Sequence, residues 1–348
     1  MTLSSNLWSL EAYRYDLPKE LIAQVPSSER DDSRLMVVDR ASGNMTGMPF
    51  CELTDFLERG DSLVLNDTRV IPARLIGSRD TGGRVEIFLV RCIEAMTWEV
   101  LAKPAKKLKP GMEVGFGENF SCVVKADGIE GRKVVRFCCE GDFYAALNKH
   151  GRTPLPPYIR REVNPGIDNE RYQTIYANRP GALAAPTAGL HFSESMLRTL
   201  SQKEVEQVMI TLHVGLGTFR PVHAEDIRDH EMHAEIYHID VEAADRLNHR
   251  SLGSRRVCVG TTCCRTLEAV ADDQGVIVPG EGATDLFIYP GYRFKYVDML
   301  LTNFHLPGSS LLMLVTAFGG YDLIMEAYAK AVRDRYRFFS YGDAMLII

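Results

Sequence analysis

"SLVLNDTRV", residues 62–70, is where the texture of this chain changes. Before it, residues 16–60 read as mixed α/β. "SRLMVVDRASG" (33–43) is a strand running into a turn, and "FCELTDFLERGD" (50–61) has the apolar spacing of a short helix stopped by Gly60. After it, from about 67 to 149, come six short β runs: RVIPARLIG, GGRVEIFLV, TWEVLAK, EVGFG, FSCVVKAD and RKVVRFCC. Turn residues such as "DTGG" and "ADGIEG" separate them. Short strands at this spacing predict a small antiparallel barrel.

Past residue 150 strand and helix alternate again. "MLRTLSQKE" reads as helix, "VEQVMITLHV" ends as strand and "VEAADRLNHR" is helix. "RRVCVGTT" is a strand running into the helix "CCRTLEAVAD", "TDLFIY" is a strand, and "YDLIMEAYAKAVRDRYR" is a long amphipathic helix. That alternation predicts a sheet covered by helices. The expected fold class is α/β: a discontinuous α/β domain (1–66 and 150–348) carrying an inserted antiparallel β-barrel (67–149). Residues 162–170 and 272–283, rich in Gly, Asn, Asp and Pro, are the expected mobile surface loops.

The bulk numbers suit a soluble globular chain of about two domains: 348 residues, 45% hydrophobic, 25% charged, net charge −6. The charge is uneven. Residues 67–149 hold 14 Lys+Arg against 11 Asp+Glu, so the barrel is electropositive and the remainder carries −9. The eight cysteines include the adjacent pairs Cys138-Cys139 and Cys263-Cys264 but no CxxC. The N-terminus lacks a basic stretch followed by an apolar run, and the apolar stretch 310–318 is too short to span a bilayer. A cytoplasmic, reduced protein with no membrane partner is expected, most cysteines acting as small buried hydrophobes.

Polar clusters sit where strands should end. "APTAGLHF" (185–192) precedes a helix, "TLHVGLGTFRPV" (211–222) carries His213 into glycines, and "GTTCCRTLE" (260–268) passes from strand to helix. In open α/β sheets ligands bind beyond the carboxyl ends of strands. The Thr261-Thr262 corner suits an anion such as a carboxylate, or simple helix capping. "LTNFHLPGSSLLML" (301–314) and "FFSYGDAMLII" (338–348) place Asn303, His305, Tyr341 and Asp343 in apolar surroundings, where polar groups need partners or a function. "GLGTFR" lacks the third glycine of GxGxxG, and neither a P-loop nor a GxSxG elbow occurs.

"DHEMHAEIYHI" (229–239) holds three histidines. His230 and His233 have HxxH spacing, one residue short of the zincin motif. On a strand over 232–239, His233 and His238 would point to opposite faces, which disfavours a metal cage. Hydrogen bonding at a turn, a metal site, and proton transfer or ligand contact stay open. The basic run "KPAKKLKPG" (103–111), with Lys103, Lys106 and Lys107, is either a solvated turn or a phosphate contact, and Arg69, Arg74, Arg160 and Arg161 add to it.

Block after block, from about residue 13 to 348, the chain resembles the S-adenosylmethionine:tRNA ribosyltransferase-isomerase family of queuosine biosynthesis. The blocks are "LNDTRVIPAR", "PPYIRR", "ERYQTIYA", "APTAGLHF", "TLHVGLGTFRPV", "HEMHAE", "GTTCCRTLE", "TNFHLPGSSLLMLVTAF" and "YRFFSYGDAMLI". The resemblance implies an α/β domain with an inserted barrel. It implies S-adenosylmethionine consumed as ribosyl donor, with no true cofactor and no metal. It implies transfer and isomerisation of the ribosyl group onto 7-aminomethyl-7-deazaguanine (preQ1) at the wobble position of tRNA. Epoxyqueuosine, adenine and methionine are the products. A monomer is the expected assembly.

With that chemistry in view, residue type and context nominate roles. His213, His230 and His233, the last two flanked by Glu231 and Glu235, are the proton-transfer candidates. Thr187, Thr261 and Arg265 are candidates for the methionine carboxylate, and Asp67 and Asp343 for cationic groups. His191, His305, Thr218, Arg220, Asn303 and Tyr341 complete the expected substrate contacts. Arg69, Arg74, Lys103, Lys106, Lys107, Arg160 and Arg161 are the expected RNA contacts. Two rivals remain: an S-adenosylmethionine-dependent RNA methyltransferase, for which the usual glycine-rich loop is missing, and a non-catalytic RNA-binding protein built on the barrel.

Overall fold

The computed structural model of the chain describes residues 6–215, 217, 222–249 and 253–348. Its strands in chain order are β1 (Arg34–Val38), β2 (Met45–Pro49), β3 (Ser62–Asn66), β4 (Thr68–Val70), β5 (Arg74–Arg79), β6 (Arg84–Glu94), β7 (Thr97–Lys103), β8 (Glu113–Gly117), β9 (Phe120–Asp127), β10 (Lys133–Cys139), β11 (Gly151–Arg152), β12 (Arg179–Ala182), β13 (Glu206–Leu212), β14 (Glu235–Ile239), β15 (Arg256–Val259), β16 (Gly280–Thr284), β17 (Met299–Asn303) and β18 (Ala344–Ile347). The helices are α1 (Phe143–His150), α2 (Pro165–Arg171), α3 (Glu194–Gln202), α4 (Val241–Asn248), α5 (Thr261–Val270), α6 (Ser310–Gly319) and α7 (Tyr321–Arg333).

Nine strands form one mixed sheet in the order β16-β14-β13-β3-β15-β17-β18-β1-β2. Its centre, β13-β3-β15-β17, is parallel. Side chains of these strands alternate between two cores, as a sheet buried on both faces requires. Val64, Val208, Cys258 and Leu300 point to the core shared with α4, α5, α6 and α7. Leu63, Leu65, Val257 and Leu301 point to the other, with Phe50, Leu53, Met196 and Leu200 from the 3-10 helix Phe50–Phe56 and from α3. The result is a sheet with helices on both faces.

The second sheet closes on itself. β5-β6-β7-β10-β9-β8 pair in that order and β8 pairs back onto β5, giving a six-stranded antiparallel barrel. Its interior is filled by Leu75, Val85, Ile87, Leu89, Val100, Val114, Phe120, Val124, Val135 and Phe137, the inward half of each alternating run. Closure leaves no open edge among these six strands.

Four sequence expectations are corrected. The run 69–77 is not one strand: it breaks at Ile71-Pro72-Ala73, and β4 pairs instead with β12 in a small parallel sheet. "TDLFIY" is not a strand. β16 is Gly280–Thr284, and Leu286, Phe287, Ile288 and Tyr289 pack into the core as irregular chain. Residues 162–170 are not merely a loop, because Asn164 caps α2 and the buried Asp168 anchors it through Arg161. Of the eight cysteines, all free, only Cys122, Cys258, Cys263 and Cys264 are buried; Cys51, Cys92 and Cys138 are exposed. No single helix among the described residues is long and apolar enough to cross a membrane.

Candidate active site

The carboxyl ends of β13, β3, β15 and β17 all face one edge of the sheet, because the four strands are parallel. Beyond that edge the barrel wall approaches the sheet and leaves a cleft of 370 Å³. The sheet side supplies His213, Val214, Gly215, Gly217 and the segment His233–Ile236; the barrel side supplies Arg91, Trp98, Arg132 and, from α1, Tyr144.

His213 is the first residue past β13 and is half-buried. Its Nδ1 lies 2.7 Å from Thr68 Oγ1, its backbone N–H donates to Ile236 O at 2.9 Å, and among the described residues nothing bonds Nε2. Its ring packs against the backbone of β12: a Cβ on Gly181 would sit 2.8–2.9 Å from the ring, so only glycine fits there. Burial pushes the His213 pKa below the usual imidazole value, with nearby Asp67 opposing and Arg179 assisting. The imidazole is therefore neutral at pH 7, held at Nδ1 on the wall of the cleft.

Beneath it the strand ends are tied together. Asn66 donates to Leu212 O (3.0 Å) and accepts from Leu212 N (3.1 Å), and Thr211 Oγ1 donates to Asp67 Oδ1 at 2.6 Å. Asp67 also lies 3.9 Å from Arg179. Glu235, buried at the start of β14, accepts from Gly215 N at 3.0 Å and pairs with the buried Arg265 of α5. That ion pair fixes the glycine segment that follows His213.

His233 also lines the cleft, its ring so close to Gly217 that a Cβ there would lie 2.7 Å away. Next to it, His223, Asp229, His230 and Glu231 line a hollow of 310 Å³. Burial lowers the His230 pKa, and His233 and His223 lower it further. β14 starts at Glu235, so His233 precedes the strand rather than lying on it. His238 is elsewhere, its Nδ1 2.8 Å from Glu281 on β16. Among the described residues no three His, Cys, Asp or Glu side chains converge as a metal-binding group.

A narrow crevice of about 50 Å³, sharing Val214 with the cleft, holds Thr187, Thr261, Asn303, His305 and Ser340. Thr187 Oγ1 donates to Asn303 Oδ1 at 2.8 Å, and Thr261 opens α5. The remaining candidates serve as internal partners. His191 is buried, its ring tilted against Phe50, with Ser33 Oγ 2.7 Å from Nδ1 and Asn303 Nδ2 3.0 Å from Nε2. Burial, with Arg337 and Arg30 nearby, lowers its pKa to about 3. His305, its pKa likewise lowered to about 3 by burial, sits between Thr302 and Tyr328 at 3.2 Å each. Asp343 accepts from Arg34 N (2.9 Å), Arg34 Nε (3.3 Å) and Arg337 N (2.7 Å). Tyr341 OH donates to Asp168 Oδ1 at 3.4 Å. Arg265 is committed to Glu235 and does not reach the Thr261 corner's crevice. Thr218 and Arg220 lie outside the described residues.

Of the basic residues, Lys103 at the end of β7 and Lys106 and Lys107 on the turn after it are exposed and do not line the cleft. Arg69 and Arg160 are exposed, Arg74 lies 3.7 Å from Glu86, and Arg161 is clamped on Asp168. Sequence reading missed Arg91, Trp98, Arg132, Tyr144, Thr68 and Gly181. Nothing local marks the first four: Arg91 and Trp98 come from barrel strands, Arg132 from the turn before β10 and Tyr144 from α1.

The comparisons agree with one another. The family described as queuosine biosynthesis protein matches residues 10–347. A protein of Symbiobacterium thermophilum named S-adenosylmethionine:tRNA ribosyltransferase-isomerase is 55% identical over 97% of this chain and 99% of its own length. One of the same name from Acetivibrio thermocellus is 50% identical over 96% and 98%. A crystal structure of an S-adenosylmethionine tRNA ribosyltransferase from Thermotoga maritima aligns with a TM-score of 0.55 at 38% identity, covering 97% of this chain and all of that one. With a mixed sheet parallel at its centre, a closed barrel and a histidine-lined cleft between them, the chain belongs to the queuosine biosynthesis family of S-adenosylmethionine:tRNA ribosyltransferase-isomerases.

Proposed function

We propose that this chain takes the ribosyl group of S-adenosylmethionine and isomerises it onto the aminomethyl group of preQ1 at the tRNA wobble position. Epoxyqueuosine forms, and adenine and methionine leave. The carrying observation is His213: a neutral, half-buried imidazole held at Nδ1 by Thr68, backed by Gly181, on the wall of a cleft that both sheet and barrel line. The sulfonium acidifies C5′ of the ribose, so a positioned neutral base there removes a proton at ordinary pH. The base is His213. His233, which lines the same cleft, is the candidate to protonate departing adenine, with His230 in the adjoining hollow beside it.

The narrow crevice is the candidate site for the carboxylate at the donor's methionine end, with the Thr187 and Thr261 hydroxyls as contacts and Asn303 behind Thr187. S-adenosylmethionine is a consumed substrate here, and the scheme calls for no metal and no further cofactor. The exposed Lys103, Lys106 and Lys107, with Arg69 and Arg160, contact tRNA phosphates outside the cleft. The protein works as a monomer in the cytoplasm, where its tRNA is.

Digestion of treated tRNA tests the reading. A wobble nucleoside heavier by a ribosyl-derived five-carbon unit is expected; a gain of one methyl group would make the protein a methyltransferase instead. An unchanged nucleoside with tRNA bound would favour a binding protein.

A further inference from the structure

The barrel wall of the cleft carries a charge arrangement that the proton chemistry does not use. β6 and β7 pair regularly up to Leu89↔Val100, slip by one residue, and resume at Arg91↔Glu99. The slip is a β-bulge at Val90, a device that re-aims side chains. It sets Arg91 directly across from Glu99 at the rim of the cleft. Glu99 is nearly buried, its side chain 11% exposed, while Arg91 is 59% exposed. Arg91 Nε donates to Glu99 Oε2 at 3.0 Å, and Arg132 Nη1 reaches the same oxygen at 3.4 Å. The Arg91 hydrogen bond holds the Glu99 carboxyl below the usual carboxylate range.

Arg91 and Arg132 both meet the one Glu99 carboxylate. Glu99 holds Arg91 from behind by Nε alone. Among the described residues no hydrogen bond or ion pair takes its two Nη groups. A guanidinium fixed in this way presents its fork outward, the geometry that grips an anion through two parallel hydrogen bonds. Trp98 and Tyr144 line the same cleft.

We infer that Arg91, oriented by Glu99 and supported by Arg132, binds a phosphodiester of the RNA strand as it enters the cleft. The inference rests on the proposed function, which brings a nucleotide of tRNA to His213. A carboxylate such as that of the donor's methionine would satisfy the same fork. The exposure of Arg91 at the cleft mouth, on the electropositive barrel, favours the RNA backbone. This site is distinct from the lysine turn at 103–107, which does not line the cleft.

The test is tRNA binding by Arg91→Ala and Arg91→Lys across a salt series without donor, alongside KM for S-adenosylmethionine. Arg91→Ala is expected to weaken tRNA binding about tenfold and to flatten the log–log salt slope by about 0.7–0.9, one phosphate contact. Arg91→Lys is expected to restore the slope but only part of the affinity, because an ammonium cannot form the fork. KM for the donor should not move. An unchanged slope in Arg91→Ala, or a rise confined to donor KM, overturns the inference. Wild-type adenine release, measured on the same preparation, tests the proposed function separately. A wild type that releases no adenine but loses its slope on Arg91→Ala would leave the RNA contact standing alone.

Discussion

At the scale of single residues the account turns on His213. His213→Ala should lower turnover by about 10²–10⁴-fold, the usual weight of a positioned base, while circular dichroism and unfolding temperature stay near wild type. Near-normal turnover would remove His213 from the mechanism. The pH profile gives a second reading. The working form is neutral and burial lowers the pKa, so the acid limb of kcat/KM should fall below the ordinary imidazole value of about 6.5. A limb above that value would mean a base with a different environment. Residue type and context nominate His213 for proton transfer, and the structure puts it on the cleft lining. His191, His305, Asp343 and Arg265, nominated by the same reasoning, already have protein partners. Each is a polar side chain in an apolar block, and each is consumed by a partner distant in sequence: Asn303, Tyr328, Arg34 and Glu235 respectively. Sequence shows that a buried polar group needs a partner. It does not show whether that partner is protein or substrate.

At the scale of elements, β14, α5 and the segment after β13 are joined by Glu235. Glu235→Gln keeps an acceptor for Gly215 N–H but leaves the Arg265 charge buried without its counterion. A loss of about 3–5 kcal/mol in unfolding free energy is expected, read from urea denaturation; an unchanged midpoint would mean that the pair does not hold the segment. The exposed turn Ala105–Lys107 makes a different prediction. Reversing charge at Lys106 and Lys107 should raise KM for tRNA several-fold and leave donor KM alone, and a salt series with unchanged tRNA affinity would sink that contact. Most elements were legible in the chain. The barrel strands announce themselves because a closed barrel forces strict in–out alternation with glycine-bearing turns, as in Val85, Ile87 and Leu89. The misses have physical causes. Leu286–Tyr289 is apolar enough for a strand, but it is buried by packing rather than by pairing. The bulge at Val90 leaves no mark in the sequence, so the direction of Arg91 was invisible. Segment 162–170 was read from composition, which cannot see Arg161 anchoring Asp168.

For the whole molecule, the two buried histidines link stability to pH. Folded His191 and His305 titrate near 3, well below an unfolded histidine at about 6.5. Below 6.5 the unfolded chain binds protons that the folded chain refuses, so stability is full above that pH and is lost as pH falls toward 3. Each histidine contributes a slope of up to about 1.4 kcal/mol per pH unit in that window. Replacing His305 by Gln should make the acid limb of a stability–pH curve shallower; an unchanged slope would mean that the group is not buried neutral. The larger architecture has one consequence for function. The parallel strand ends and the closed barrel line one cleft from opposite sides, and the proposed chemistry is assigned to it. The most direct test is to incubate the purified, EDTA-treated protein with S-adenosylmethionine and tRNA carrying preQ1, and to measure free adenine and methionine. Equal amounts of both, with an altered wobble nucleoside, are the predicted result. No adenine, or adenine only after zinc is restored, would contradict ribosyl transfer by histidine proton chemistry.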